Sequence, residues 1–247
     1  VTARITPLRL EGFEQLPKHA RRCVYWEVDP GTLGNDDRLA DPEFEKEAWL
    51  SMVMLEWGSC GQVATIAPTD CGPTDPPCLG YVLYAPPGVV PRAGRFPTAP
   101  VSHDAVLLTS MGIEASAISE DLPYSLVTRV VDELMRRGVR ALEAFGRTEA
   151  TVELVEENTI DAEIRPVLDS LGDCSIDRCI IAADFLQNVG FAVVAPHRFF
   201  PRLRLELDKG LGWKAEVEAA LERLLESAQL QTAGLQEVSA ASVARNR

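Results

Sequence analysis

The sequence predicts a mixed α/β fold of the α+β class: one sheet with helices on both faces, followed by a C-terminal helical extension. Three observations carry that prediction. Strand-like and helix-like segments follow one another without a fixed repeat. Of the 247 residues, 46% are hydrophobic and 25% charged, which is material for a real core. Apolar spacing also switches along the chain between the alternation of a strand and the roughly 3.6-residue period of a helix.

Residues 3–9 alternate weakly and read as a first strand, with Pro7 acceptable only at an edge or a strand end. Glu11 to Trp26 and Phe44 to Trp57 carry helical spacing. Asp41-Pro42-Glu43 supplies the second helix with an N-cap and a proline at its first position. Gln62 to Ala67 and Cys78 to Ala85 are apolar runs joined by a proline-rich loop, which predicts a hairpin.

Asp104 to Ile113 reads as a buried strand and Glu114 to Pro123 as a polar loop. Tyr124 to Arg137 has the clearest apolar stripe, through Leu126, Val127, Val130, Val131 and Leu134, and Gly138 stops it. Ala141 to Phe145 is a short strand. Between Glu149 and Asp173 eight acidic residues face one arginine, so this segment carries −7 and is expected to be a solvated loop or an added helix. Ile180 to Val189 is expected to be helical, Phe191 to Val194 and Leu203 to Leu207 to be strands, and Trp213 to Leu225 to be an amphipathic helix. The expected organisation is one domain over residues 1–208, with an acidic insertion at 149–173, and a helix with a tail over 209–247.

Charge and motifs narrow the function. With 24 Lys and Arg against 37 Asp and Glu, the formal charge of −13 argues against a nucleic-acid backbone as partner and fits an amine or a basic protein. No apolar run reaches the roughly 18 residues of a membrane span and no signal-peptide core is seen, so a cytoplasmic protein without a membrane partner is expected. Neither a dinucleotide fingerprint nor a P-loop occurs. His19, His103 and His197 stand far apart, and Cys71 to Cys78 and Cys174 to Cys179 lack the spacing of structural zinc sites. No metal is therefore expected. Cys78 and Cys179 read as small buried residues.

Two short segments combine aromatics with a carboxylate. Cys23-Val-Tyr-Trp-Glu27 and Leu55-Glu-Trp-Gly-Ser-Cys-Gly61 make Glu27 and Glu56 candidate general bases, because a carboxylate in an apolar cleft gains proton affinity. The bland alternatives are a surface carboxylate beside a packed Trp26, and a helix end with Trp57 in the core.

The order of elements, together with Asp184-Phe-Leu-Gln-Asn-Val-Gly-Phe191 before the closing strands, resembles the GNAT superfamily of acyl-CoA-dependent N-acetyltransferases over roughly residues 3–207. Cys23–Glu27, Glu45–Trp49, Leu55–Cys60, Tyr81–Pro87 and Phe96–Thr98 look like an actinobacterial branch of it. The resemblance implies a mostly antiparallel central sheet in which the strand at 104–113 splays from the strand at 141–145, with acetyl-CoA as co-substrate and its pantetheine arm in the gap. By family position the implied contacts are Met111, Gly112, Ile113, Ser119, Leu122, Tyr124, Ser125 and Asn188. Backbone donors at Met111 to Ile113 would polarise the thioester carbonyl. The family's diphosphate loop corresponds to Ile118-Ser-Glu-Asp-Leu-Pro123, which has no glycine and holds Glu120 and Asp121, and its usual tyrosine acid corresponds to Leu186. Two functions are thus implied: transfer of an acetyl group to an amine, or a GNAT fold without cofactor binding that serves as an interaction or regulatory module.

Overall fold

The computed structural model describes residues 3–29, 41–66, 77–114, 121–156, 162–168 and 175–207, and the chain to Leu207 forms one compact unit. The expected helix at 213–225 lies outside the described residues, as do Cys71, Cys174 and Ser119. Seven strands, β1 (Ala3–Pro7), β2 (Gly61–Ile66), β3 (Cys78–Ala85), β4 (Ala105–Ile113), β5 (Ala141–Phe145), β6 (Ala192–Ala195) and β7 (Arg202–Glu206), form one sheet in the order β1-β2-β3-β4-β5-β7-β6. Every pairing is antiparallel except β4 with β5. The sheet is mixed and mostly antiparallel with helices on both faces, the α+β arrangement that the sequence predicts.

Helices cover both faces. Helices α1 (Lys18–Arg22) and α2 (Pro42–Glu56) pack on one side, where Trp26, Leu50 and Val53 meet Tyr81, Leu83 and Phe145. Helix α3 (Asp121–Arg136) covers the other, with Leu126, Val130 and Leu134 against Val82, Leu108 and Leu142. The alternating strand residues divide between these two cores because successive side chains leave a strand on opposite faces. Strand β3, second in from the edge, is buried along its whole length, which is why its run is continuously apolar rather than alternating.

Local signals account for several boundaries. The Asp41 side chain accepts from the Phe44 N–H and Pro42 follows it, fixing the start of α2. Helix α3 ends at Gly138, whose φ of 72° is left-handed and whose N–H donates to Met135 O. It begins three residues before the expected Tyr124, because Pro123 is tolerated in a first turn, where no N–H is needed. The expected helix over 11–26 breaks into a 3-10 turn at Leu10–Gln15 and the short α1, separated at Pro17. Beyond α1 the chain leaves the helix and buries Tyr25 and Trp26.

The acidic segment is more anchored than a solvated loop. It contains a 3-10 turn at Glu149–Val152, α4 (Glu153–Glu156) and α5 (Arg165–Leu168), and Leu154, Ile164 and Val167 join the core. The Tyr25 hydroxyl donates to Val167 O at 2.6 Å, tying the segment to the chain after α1. Then come α6 (Ile176–Cys179) and α7 (Ala183–Asn188). Instead of one helix over 180–189, Ile180 to Ala182 are not helical, since they pair with Arg147. Among the described residues no helix is long and apolar enough to cross a membrane.

Candidate functional site

The sheet opens where its one parallel pair ends. Strand β4 is matched to β5 only at Ala105↔Ala141, Val106↔Leu142 and Leu107↔Glu143, while its other edge stays paired with β3 as far as Ile113. From Leu108 onward the β5-facing edge of β4 has no strand partner among the described residues. Backbone polar groups there must be satisfied by something other than a ladder.

On the far bank of this gap, the chain continues past Phe145 and binds the residues between α6 and α7 that follow the acidic segment. The Arg147 N–H donates to Ile181 O at 2.9 Å, and the Ala183 N–H donates to Arg147 O at 2.8 Å. A cavity of about 190 Å³ results, lined by Met111 from β4, Arg147, Ile181 and Phe185, with Asp177 and Arg178 alongside. That volume suits a slender arm rather than a whole nucleotide, since pockets for drug-sized ligands run to about 300 Å³ and above. Arg147 and Arg178 stand beside it together with the Asp177 carboxylate, whose negative charge interacts with both. The Arg147 Nε also donates to Ile180 O at 3.1 Å, which holds that side chain along the segment. A hydrogen bond from the Ser175 side chain keeps the Asp177 carboxyl below its usual range.

Helices α3 and α7 flank the gap through their first turns: the Tyr124 and Phe185 rings lie 5.5 Å apart. Leu122 is buried, Tyr124, Ser125 and Asn188 are exposed, and Met111, Gly112 and Ile113 are half-buried in the last part of β4. Of the implied residues, Met111 lines the cavity and Tyr124 adjoins it through Phe185, while Ser125 lies with Tyr124 on the side of α3 that faces Ile5 of β1. A first helical turn leaves its amides without partners inside the helix, and Pro123 removes one of them. Leu186 is fully buried in the core.

Glu27 lies on the opposite face of the sheet and is not a surface group. Its side chain is 0% exposed and forms an ion pair with Lys46, itself 2% exposed, whose Nζ also donates to Cys23 O at 3.0 Å. The second carboxylate oxygen, Oε2, is buried without a hydrogen-bond partner among the described residues. Burial pushes the Glu27 carboxyl up, and the Lys46 charge offsets only part of that. Tyr81, on the same face, pairs with Gly112 of β4 and so reaches the edge of the gap.

Glu56 is separated from this region. Helix α2 ends beside the C-terminal end of α3, where Arg137 donates to Trp57 O and Ser59 O and its guanidinium lies 3.6 Å from the Trp57 ring centre. Because α3 ends there and begins at the gap, Glu56 stands at the other end of the sheet, exposed to solvent. Trp57 is half-buried rather than enclosed. Cys60 is buried, and burial pushes its thiol up to about 12, so it is a poor nucleophile near neutral pH. Cys78 and Cys179 are buried, as expected.

Arg147 and Arg178 escaped the sequence reading. Their only signal was that they bracket the acidic segment as isolated cations, and nothing local says that its two ends meet.

No family model and no curated protein matches the chain. Among solved structures it is similar to the PaiA N-acetyltransferase of Thermoplasma acidophilum in complex with coenzyme A, at 10% identity and a TM-score of 0.45, over 83% of this chain and 99% of that one. It is similar to an N-acetyltransferase from Staphylococcus aureus Mu50 at 14% identity and a TM-score of 0.45, over 84% of this chain and 100% of the other. A third similarity is to the acetyltransferase of GNAT family from Streptococcus pneumoniae, at 14% identity and a TM-score of 0.44, covering 83% and 99%.

Proposed function

We propose that the chain is a GNAT-type N-acyltransferase, of the actinobacterial branch its aromatic segments resemble, that moves an acetyl group from acetyl-CoA to an amine. The carrying observation is the open edge of β4 beyond Leu107, with a slender cavity between Met111 and Ile181. An extended pantetheine arm offers amide groups that complement such an edge, much as an added strand would. Arg147 and Arg178 supply positive charge for the phosphates of the same ligand.

In this reading the neutral amine attacks the thioester carbon, backbone donors at Met111 to Ile113 stabilise the developing oxyanion, and the C–S bond breaks to release the thiol. The amine's proton leaves through water. Glu27 is the buried carboxylate with raised proton affinity, and its enclosure beside Lys46 means that a proton reaches it only by relay. The position of Glu56 argues against a role for it.

A second reading has its own observation. Asp121 and Pro123 occupy the first turn of α3, one a negative charge and the other a missing donor, where a diphosphate would need amides. This supports a chain that has lost its cofactor and acts as an interaction module. Calorimetric titration with acetyl-CoA separates the two. Saturable binding, followed by acetylation of amines, supports the enzyme. Absence of heat at millimolar ligand with folded protein rejects it, and a gain of affinity on replacing Glu120 and Asp121 by glycine would locate the defect at those two residues.

A further inference from the structure

We propose that His19, Cys23 and Cys179 form a binding site for one zinc ion, independent of the acyl-transfer reading. One nitrogen and two sulfur atoms, one from each side chain, all lie within 4.8 Å of one another, and the two sulfurs are 3.6 Å apart. Two thiolates on a tetrahedral zinc, with Zn–S bonds of about 2.3 Å, stand about 3.8 Å from each other. The two sulfurs are thus already at ligation spacing with the His19 nitrogen near them, and the fold rather than the sequence brings Cys179 there.

Two rigid links hold the arrangement. His19 and Cys23 are one helical turn apart, and the Cys23 N–H donates to His19 O at 2.8 Å, which puts both side chains on one side of α1. Cys179 is the last residue of α6, and its carbonyl accepts from the Trp26 indole N–H at 2.8 Å. Trp26 is 1% exposed and packed between Tyr25 and Phe96, so the bridge between the two segments is fixed.

Donor chemistry and charge select the ion. Two sulfurs and an imidazole suit zinc and reject magnesium or calcium, which require oxygen. On binding, each thiol gives its proton to solvent, and the two thiolates neutralise a divalent cation. That electroneutral assembly is what a buried location tolerates, because an uncompensated charge there would be costly. The neighbouring Lys46 and Glu27 are paired with each other, and Lys46 is linked to Cys23 through its carbonyl. His19 is half-buried while both cysteines are buried, so the ion reaches the site, and a water completes its fourth position, from the His19 side.

The test is titration of the reduced 247-residue chain with Co²⁺, then Zn²⁺. One equivalent of Co²⁺ per chain should produce a thiolate-to-cobalt charge-transfer band and the intense visible bands of a tetrahedral site, and Zn²⁺ should remove both. Cys179→Ser and His19→Ala should weaken Co²⁺ binding by more than the roughly tenfold lost with an outer-shell partner, and Cys60→Ser should leave it unchanged. If Cys179→Ser does not fold, His19→Ala, altered at the half-buried ligand, carries the test. Zn²⁺ should raise the melting temperature of the wild type and not of His19→Ala. Absence of a thiolate band in folded wild-type protein, or a band that survives His19→Ala undiminished, would overturn the site.

Discussion

Tyr81 occupies the space that a side chain at residue 112 would need: a methyl group on Gly112 would meet Tyr81 Cε1 at 2.5 Å and its hydroxyl at 3.0 Å. Glycine is required at this point of β4 by a neighbour on β3, not by an unusual backbone angle. Gly112→Ala is expected to displace the Tyr81 ring and to cost about 1–3 kcal/mol of stability, the usual range for overpacking. Urea denaturation measures it. An unchanged midpoint would mean that the ring yields freely.

Met111 tests the gap itself. Met111→Trp should fill much of the cavity between β4 and Ile181 while leaving the sheet folded, since Met111 is only half-buried. Acetyl-CoA affinity is expected to fall by roughly tenfold or more, the loss of about 1.4 kcal/mol or more of binding energy. Equal affinity in the two proteins would move the ligand elsewhere.

The Lys46–Glu27 pair is expected to show strong coupling. Lys46→Met leaves a buried carboxylate without its partner and should destabilise by about 3–5 kcal/mol, whereas Lys46→Met with Glu27→Leu should recover most of the loss. A double-mutant cycle in denaturant reads this directly. Additive effects would show that the two charges do not interact.

Arg137 fastens the end of α2 to the end of α3 through two carbonyls and the Trp57 ring. Arg137→Met keeps much of the aliphatic stem and removes the charge, the donors and the stacking. A loss of about 1–2 kcal/mol is expected from thermal melts.

Acid should release a second set of charges at the base of β4 and β5. The Arg204 hydrogen bond brings the Asp104 carboxyl down to about 2. Burial opposes ionisation of Glu143, yet hydrogen bonds from Ser102, Arg202 and Arg204 outweigh it and hold its carboxyl below the usual range. Both folded values lie below those of the unfolded chain, so the folded state binds fewer protons in between. The stabilisation is present above about pH 4 and is lost as pH falls from there towards the folded values. Melting temperatures between pH 7 and 2 should fall less steeply in Arg204→Met than in the wild type.

What the sequence by itself determined is local. The Asp41-Pro42 start, the stripe of α3 with its Gly138 stop, the bounds of β5 and the burial of β3 all follow from caps, periods and apolar runs a few residues long. The gap between β4 and β5 was legible only through resemblance to a family. Tertiary structure decided the rest. Glu27 reads locally as a base or a surface group, but the packing of α2 against α1 gives it Lys46 and closes it off from solvent. His19 and Cys23 are neighbours by helical geometry, yet Cys179, 156 residues from Cys23, joins them only because the acidic segment returns to Arg147 and Trp26 holds its end. Periodicity encodes which face a residue takes. Which distant residue it meets depends on the order of strands in the sheet, and that is fixed by burial of the whole core at once.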